Sequence, residues 1–177
     1  LKDVVSWLYL ITAIILFLYG LHFYIAVYMF RKGKKVKQKW QKALNVKDED
    51  MPYVTVQLPI FNESNVAERL IENSIQMKYP KNKLEIQVLD DSTDETQGIA
   101  RTICEKYQKQ GFNIQYVHRE IREGYKAGAL KEGLETAKGE LVAIFDADFI
   151  PNPDFLIKTV PYFINHKKLA LVQTRWD

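Results

Sequence analysis

Apolar and polar positions divide the chain into three stretches. Residues 4–30, "VVSWLYLITAIILFLYGLHFYIAVYMF", contain no Asp, Glu, Lys or Arg. As a helix this run extends about 40 Å at 1.5 Å per residue, more than the roughly 20 residues that cross a bilayer. Trp7 and Tyr9 lie near one end, and Tyr24, Tyr28 and Phe30 near the other, as interfacial aromatic belts do. A signal peptide has a shorter apolar run with positive charge ahead of it. Here the charge follows, so the pattern predicts a transmembrane helix over 1–30 rather than a signal peptide or a buried core helix. His22, the histidine within it, reads as a neutral interfacial group.

The second stretch is polar. "RKGKKVKQKWQK", Arg31 to Lys42, carries seven basic residues in twelve. Positive charge on this side places it in the cytoplasm, with the N-terminus outside or luminal. The run reads as a collar that fixes topology, and it also suits anionic lipid headgroups. "NVKDEDMP" closes a basic cytoplasmic linker over 31–52.

From Tyr53 onward the period itself alternates. Short β-branched runs at 53–58, 84–90, 113–118, 141–146 and 169–174 predict five strands. Between them, 64–79, 93–111, 125–139 and 153–166 show helical spacing. Ser64 reads as an N-cap, as does Ser92 or Thr93. Pro153 falls near a helix start, and Pro161 is expected to kink or break the last helix. Strand–helix alternation implies an α/β fold, a mostly parallel sheet with helices on both faces. The expected localisation is a membrane of plasma or Golgi type.

Charge sharpens this division. Residues 1–50 hold nine Lys or Arg against four Asp or Glu, and residues 51–177 hold sixteen against eighteen. The net +3 therefore belongs to the membrane-side segment, and a nucleic-acid partner is excluded, since its basic surface would lie on the folded part. The one cysteine, Cys104, allows no internal disulfide and reads as a packing residue. The first residue is Leu1 rather than Met, as expected of a chain that lacks its original start.

Ligands of such sheets bind beyond the carboxyl ends of the strands, so the residues after each strand carry the chemistry. They are "PIFNE" (59–63), "DDSTD" (90–94), "REIREGYK" (119–126) and "DAD" (146–148). Asp146 and Asp148 at a strand end suit a hard cation, Mg²⁺ or Mn²⁺, held by one or two carboxylates plus substrate phosphates. The alternative is a turn or cap ahead of Pro153. Asp91, beside Asp90, suits the ring N–H of a nucleobase. Lys126, at a helix start between Gly124 and Gly128, suits a phosphate; the alternative is a solvated lysine. His118 has no partner at metal-ligand spacing. Neither a P-loop nor a G-x-G-x-x-G is present.

"PIFNE", "LDDSTDET", "GYKAGAL" and "FDADFIP", in this order over 53–177, resemble family 2 glycosyltransferases of the GT-A fold (Rossmann-like nucleotide-diphospho-sugar transferases). The resemblance is closest to the membrane-bound, processive, cellulose-synthase-like mannan or glucomannan synthases. It implies that Pro59, Phe61 and Glu63 line the nucleoside pocket, that Asp91 with Asp90 holds the base, and that Lys126 contacts the diphosphate. It also implies that Asp146 and Asp148 bind metal and nucleotide, Asp148 being the more direct ligand. The implied reaction is inverting transfer of a hexose from UDP-glucose or GDP-mannose to a growing β-glycan, the glycan being the acceptor. Two other readings stand beside it: a polyprenyl-phosphate sugar synthase, and a non-catalytic membrane-anchored nucleotide-binding module. The family's catalytic base, in a Thr-Glu-Asp-type motif, is not found in 1–177. "QTRW", Gln173 to Trp176, has one residue too few between Gln and Arg for the family's acceptor motif. Residues 53–177 are thus expected to be the N-terminal, donor-binding part of a longer enzyme, with no catalytic residue among them.

Overall fold

The computed structural model describes residues 2–41 and 46–174, with side chains throughout except at 34–41. The chain divides into two compact units, Leu1–Leu44 and Asn45–Asp177.

The first unit is one helix, α1 (Lys2–Gln41, 40 residues). Its stretch Lys2–Gly33 is long and apolar enough to cross a membrane by length and composition. Trp7, Leu16 and Phe17 along it are all exposed. The helix does not stop at the collar but runs on through Arg31 to Gln41. Lys and Gln are good helix formers, no proline intervenes, and cations near a helix C-terminus are favourable. Lys42 and Asn45, at the end of the basic run and the start of the acidic linker, lie outside the described residues. Residues 48–50 form a single 3₁₀ turn.

In the second unit, β1 (Val54–Ile60) is followed by α2 (Ser64–Ile75), β2 (Leu84–Asp90), α3 (Thr96–Lys109), β3 (Ile114–His118), α4 (Tyr125–Thr136), β4 (Leu141–Ile144) and α5 (Phe155–Asn165). The strands form one parallel sheet in the order β3-β2-β1-β4. Alternate residues of a strand face opposite sides, and here the two sides differ in chemistry. Val54, Val56, Leu58 and Ile60, with Ile86 and Val88, join Leu70, Ile71, Ala100 and Ile103 of α2 and α3 in the main core.

The other side is polar yet fully buried. Thr55 pairs in register with Glu85, and its hydroxyl donates to Glu85 Oε2 at 2.7 Å. Gln57 pairs with Gln87, and its Nε2 donates to Gln87 Oε1 at 3.0 Å. Lys138 N donates to Glu85 Oε2 at 2.9 Å, and Gln87 Nε2 donates to the Thr136 hydroxyl at 3.1 Å. Buried polar groups are tolerable only when satisfied, and these bonds fix the C-terminal end of α4 over the sheet. Gly133 permits the close approach: a Cβ there would stand 2.6 Å from Gln57 Nε2 and 2.9 Å from Leu89.

The structure departs from the sequence pattern in several places. Ser64 is the first helical residue, and the N-cap of α2 is Glu63 with no side-chain cap bond. Neither Ser92 nor Thr93 caps α3, whose N-cap is Glu95; Asp94 Oδ1 instead accepts from Thr96 N at 3.0 Å. Pro153 stands ahead of α5, and Pro161 sits inside that helix without ending it. Residues 169–174, expected as a fifth strand, carry no strand. Their alternation suits a strand, but a strand needs a bonded neighbour, and β4 is paired only with β1 among the described residues.

Candidate functional site

Strand parity decides which groups face the ligand side. Thr55 and Gln57 share the α4-facing side with Glu85 and Gln87, and beyond them the same alternation leads to Pro59, Leu89 and Asp91. β4 is paired so that Val142 and Ile144 lie beside Thr55 and Gln57, which leads on to Asp146 and Asp148. These residues converge beyond the carboxyl ends of β1, β2 and β4 on a cavity of about 250 Å³. Pro59, Phe61, Glu63, Asp91, Lys126, Asp146 and Asp148 all line it, together with Arg122.

Asp90 does not line the cavity. It belongs to the opposite parity and is completely buried. Its Oδ1 accepts from Ser92 N at 2.9 Å and its Oδ2 accepts from the Tyr116 hydroxyl at 2.6 Å. Burial and this acceptor raise the Tyr116 phenol above its ordinary range. His118 stacks on Tyr116 with 6.4 Å between ring centroids and holds the Asp90 backbone carbonyl at 3.0 Å through Nδ1. Asp90 thus anchors the end of β2 from within.

Asp91 is nearly buried and bound by an arginine that the motif reading left without a role. Arg119 Nε donates to Asp91 Oδ1 at 2.7 Å and Nη2 to Oδ2 at 2.5 Å. Such a bidentate pair fixes a carboxylate's plane. The same guanidinium also donates to the carbonyls of Glu123 at 3.1 Å and Tyr125 at 3.0 Å, so it shapes the loop leading into α4. The signal was present in the sequence, as basic residues after β3 facing acids after β2, but spacing alone could not say which arginine pairs with which aspartate.

That loop enters α4 through Gly124 and Tyr125, both left-handed, at φ +70° and +52°. Glycine takes this conformation at no steric cost; Tyr125 is held there by its neighbours. Gly128 is required for a different reason: a Cβ would stand 1.9 Å from the Glu123 carbonyl oxygen. The loops after β1 and β2 are tied together as well. Asn62 N donates to Ser92 Oγ at 2.8 Å, and Thr93 N donates to Asn62 Oδ1 at 2.8 Å.

The other end of the cavity is acidic. Phe145 and Ala147 are buried while Asp146 and Asp148 are exposed, so the strand's alternation persists into the turn. Phe145 packs edge-on against Phe155, with ring centroids 5.0 Å apart, and Phe149 N closes the turn on the Asp146 carbonyl at 2.9 Å. Lys126 Nζ is paired with Asp146 Oδ1. Glu63 Oε2 is buried without a hydrogen-bond partner. Burial first, then the charges of Asp148 and Asp146, push the Glu63 carboxyl above the usual carboxylate range, with Lys126 opposing them.

Among the described residues, no three His, Cys, Asp or Glu groups stand close enough to hold a metal ion unaided. Two exposed aspartates and an orphaned, repelled carboxylate do form a site for positive charge. That donor set fits a hard cation which draws its remaining ligands from phosphate and water. Cys104 is fully buried, and burial pushes its thiol up to about 12, so it takes no part in this chemistry.

Comparison with known proteins gives the family. The family model described as "Glycosyl transferase family 2" matches residues 55–177. Glucomannan 4-beta-mannosyltransferase 7 of Arabidopsis thaliana is 39% identical over 178 residues, covering 95% of this chain and 32% of the relative. Glucomannan 4-beta-mannosyltransferase 1 of Oryza sativa subsp. japonica is 47% identical over 129 residues, covering 71% of this chain and 25% of the relative. The chain thus spans about a third or less of these relatives' length. Among solved structures, a mannosyltransferase of Pyrobaculum calidifontis in complex with GDP-Man and Mn²⁺ superposes with a TM-score of 0.61 at 33% identity, covering 78% of this chain and 39% of that one. TarS (residues 1–349) of S. aureus in complex with UDP-GlcNAc gives a TM-score of 0.53 at 28% identity, covering 65% of this chain and 32% of that one. A parallel sheet with its motifs at the strand ends, and a family match across nearly the whole second unit, have one reading: this chain belongs to glycosyl transferase family 2, with glucomannan synthase-like mannosyltransferases among its relatives.

Proposed function

We propose that residues 53–177 form the donor-binding part of a membrane-anchored, inverting hexosyltransferase that elongates a β-linked mannan-type glycan, with GDP-mannose the favoured donor. The observation that carries this reading is the convergence of Asp91, Lys126, Asp146 and Asp148 on one cavity rim. The preference for mannose rests on the names of the glucomannan 4-beta-mannosyltransferase relatives and on the GDP-Man of the Pyrobaculum enzyme.

Each group has a distinct task. Asp91 accepts the ring N–H of the nucleobase. Both its oxygens already accept from Arg119, but a carboxylate oxygen has a second lone pair, so the clamp orients Asp91 without exhausting it. Phe61 and Pro59 supply the apolar walls of the nucleoside pocket. Lys126 exchanges Asp146 for the diphosphate, where the start of α4 adds its partial positive charge. Asp148, with Asp146 beside it, would hold Mg²⁺ or Mn²⁺ through carboxylate oxygens. When bound, the cation supplies Lewis-acid stabilisation of the departing diphosphate. Glu63 lines the nucleoside pocket, and its carboxylate adds to the negative charge that a cation beside Asp146 and Asp148 would neutralise. The base that takes the acceptor's proton is assigned to the part of the enzyme outside residues 1–177, since the resemblance offers no candidate within them. α1 anchors the domain in the bilayer, with the N-terminus outside or luminal and the catalytic unit cytoplasmic.

The test is calorimetry on the full-length protein with GDP and UDP, with Mn²⁺, with Mg²⁺ and with EDTA. Binding is expected only with a divalent cation, and Asp148→Ala is expected to weaken it at least tenfold. Equal affinity in EDTA, or an unchanged Asp148→Ala, rules out the metal assignment.

A further inference from the structure

Two arginines face Asp91, and they are held very differently. Arg119 is nearly buried and makes four hydrogen bonds. Arg122 has a side chain 35% exposed, and its Nε stands 3.7 Å from Asp91 Oδ2 with no hydrogen bond of its own. Its guanidinium rests instead on an aromatic ring. The Cζ atom lies 3.4 Å from the centroid of Phe61, with Tyr125 as a second ring at 5.1 Å. Arg122 also sits on a loop between β3 and α4, outside any ladder of backbone bonds.

A centroid distance of 3.4 Å is contact distance. An aromatic plane inserted between the two groups needs about 3.5–4 Å on each side, so no base fits between Phe61 and Arg122 as they stand. The guanidinium is held there by cation–π contacts with Phe61 and Tyr125 and by a long ion pair to a carboxylate already clamped by Arg119. Such contacts are weak at a partly exposed site.

We propose that Arg122 is a displaceable latch on the base-binding end of the cavity: its guanidinium covers the face of Phe61 that a nucleobase takes, and the base must turn it aside toward Tyr125. This inference rests on the donor-site reading above and adds a displacement step to it. A planar base can replace the guanidinium on Phe61, recovering the stacking that is lost. A sugar phosphate or free diphosphate offers no flat face and leaves the latch closed. Arg122 therefore scales the affinity for every nucleotide by the fraction of time the latch is open, and leaves the affinity for free diphosphate unchanged.

The test uses full-length protein in detergent or lipid nanodiscs with Mn²⁺, titrated with GDP, UDP and inorganic pyrophosphate. The quantity read is the ratio of nucleoside-diphosphate to pyrophosphate affinity, which isolates the base from the charge removed by mutation. In Arg122→Ala this ratio is expected to rise about two- to fivefold, the factor that corresponds to one exposed cation–π contact. Arg122→Gln, a milder change, is expected to raise it in the same direction, and a thermal melt of each variant checks that the fold is intact. If GDP or UDP binds but the ratio stays the same or falls, the latch is wrong and the donor site stands. If neither nucleotide binds the wild type or the variants, both the latch and the donor site are overturned.

Discussion

Asp90 and Asp91 are neighbours in the chain with opposite surroundings. One residue of strand parity puts Asp90 among Tyr116, His118 and Ser92, and puts Asp91 on the cavity wall with Arg119. Their substitutions should separate accordingly. Asp90→Ala leaves the half-buried Tyr116 hydroxyl and the buried Ser92 N–H without their acceptor and should cost about 1–3 kcal/mol of stability, read by denaturant unfolding. Asp91→Asn keeps the volume but replaces one acceptor oxygen by a donor facing Arg119. It should weaken nucleotide binding more than tenfold while leaving pyrophosphate binding largely intact. Similar losses of nucleotide affinity in both variants at equal stability would show that parity does not sort their roles.

Glu63 gives a second prediction at this scale. Its folded-state pKa is raised, so folding disfavours its charged form. Without a divalent cation, stability should therefore fall as pH rises from the ordinary carboxylate range through the raised value, and the loss should persist at neutral pH. Glu63→Gln removes the repulsion with Asp146 and Asp148 and should raise the melting temperature at pH 7 in EDTA. It should have little effect at a pH where Glu63 is protonated in both folded and unfolded chains. A lower melting temperature for the variant at pH 7 in EDTA would show that Glu63 is stabilised, rather than strained, by its surroundings.

Among the elements, α4 carries the most constraint. Its C-terminal end is tied to the sheet through Thr136 and Lys138, and its first turn presses against the loop held by Arg119. Gly128 is the contact between them. Gly128→Ala would set a methyl 1.9 Å from the Glu123 carbonyl, which only a shift of helix or loop can relieve. Overpacking of this kind costs about 1–3 kcal/mol, and here the shift moves Lys126. The variant should lose stability and nucleotide-diphosphate affinity together, measured by unfolding and calorimetry. Retained affinity at normal stability would show that the loop yields freely. The helices also show why cap residues were misplaced. Ser92 has the right chemistry for a cap, but a nearer donor, Asn62 N, takes its hydroxyl across the gap between two loops. Local propensity ranks candidates for a bond, and tertiary proximity chooses among them.

For the whole molecule, α1 runs without a break from the apolar segment into the basic collar. By the positive-inside bias, positive charge on its C-terminal side predicts a cytoplasmic second unit, the orientation proposed above. In sealed right-side-out vesicles of the full-length protein, residues 53–177 should resist added protease. In inside-out vesicles they should be cleaved. The reverse pattern would overturn the orientation.

Much of this protein was legible in one dimension. The charge-free run of 4–30, the strand–helix alternation after Tyr53, and four short motifs at strand ends are all local patterns, because hydrophobic period and turn chemistry act over a few residues. They determined the element types, the parallel sheet and the family. What the tertiary structure alone decided depends on register between distant strands. That register turns Asp91 to the cavity and Asp90 into the core, leaves residues 169–174 without a strand partner among the described residues, joins Arg119 to Asp91, Lys126 to Asp146, and lays Arg122 over Phe61. Each of these pairings spans twenty residues or more, except the absent strand, and a side chain's own sequence neighbours hold no record of which partner the folded sheet will bring to it.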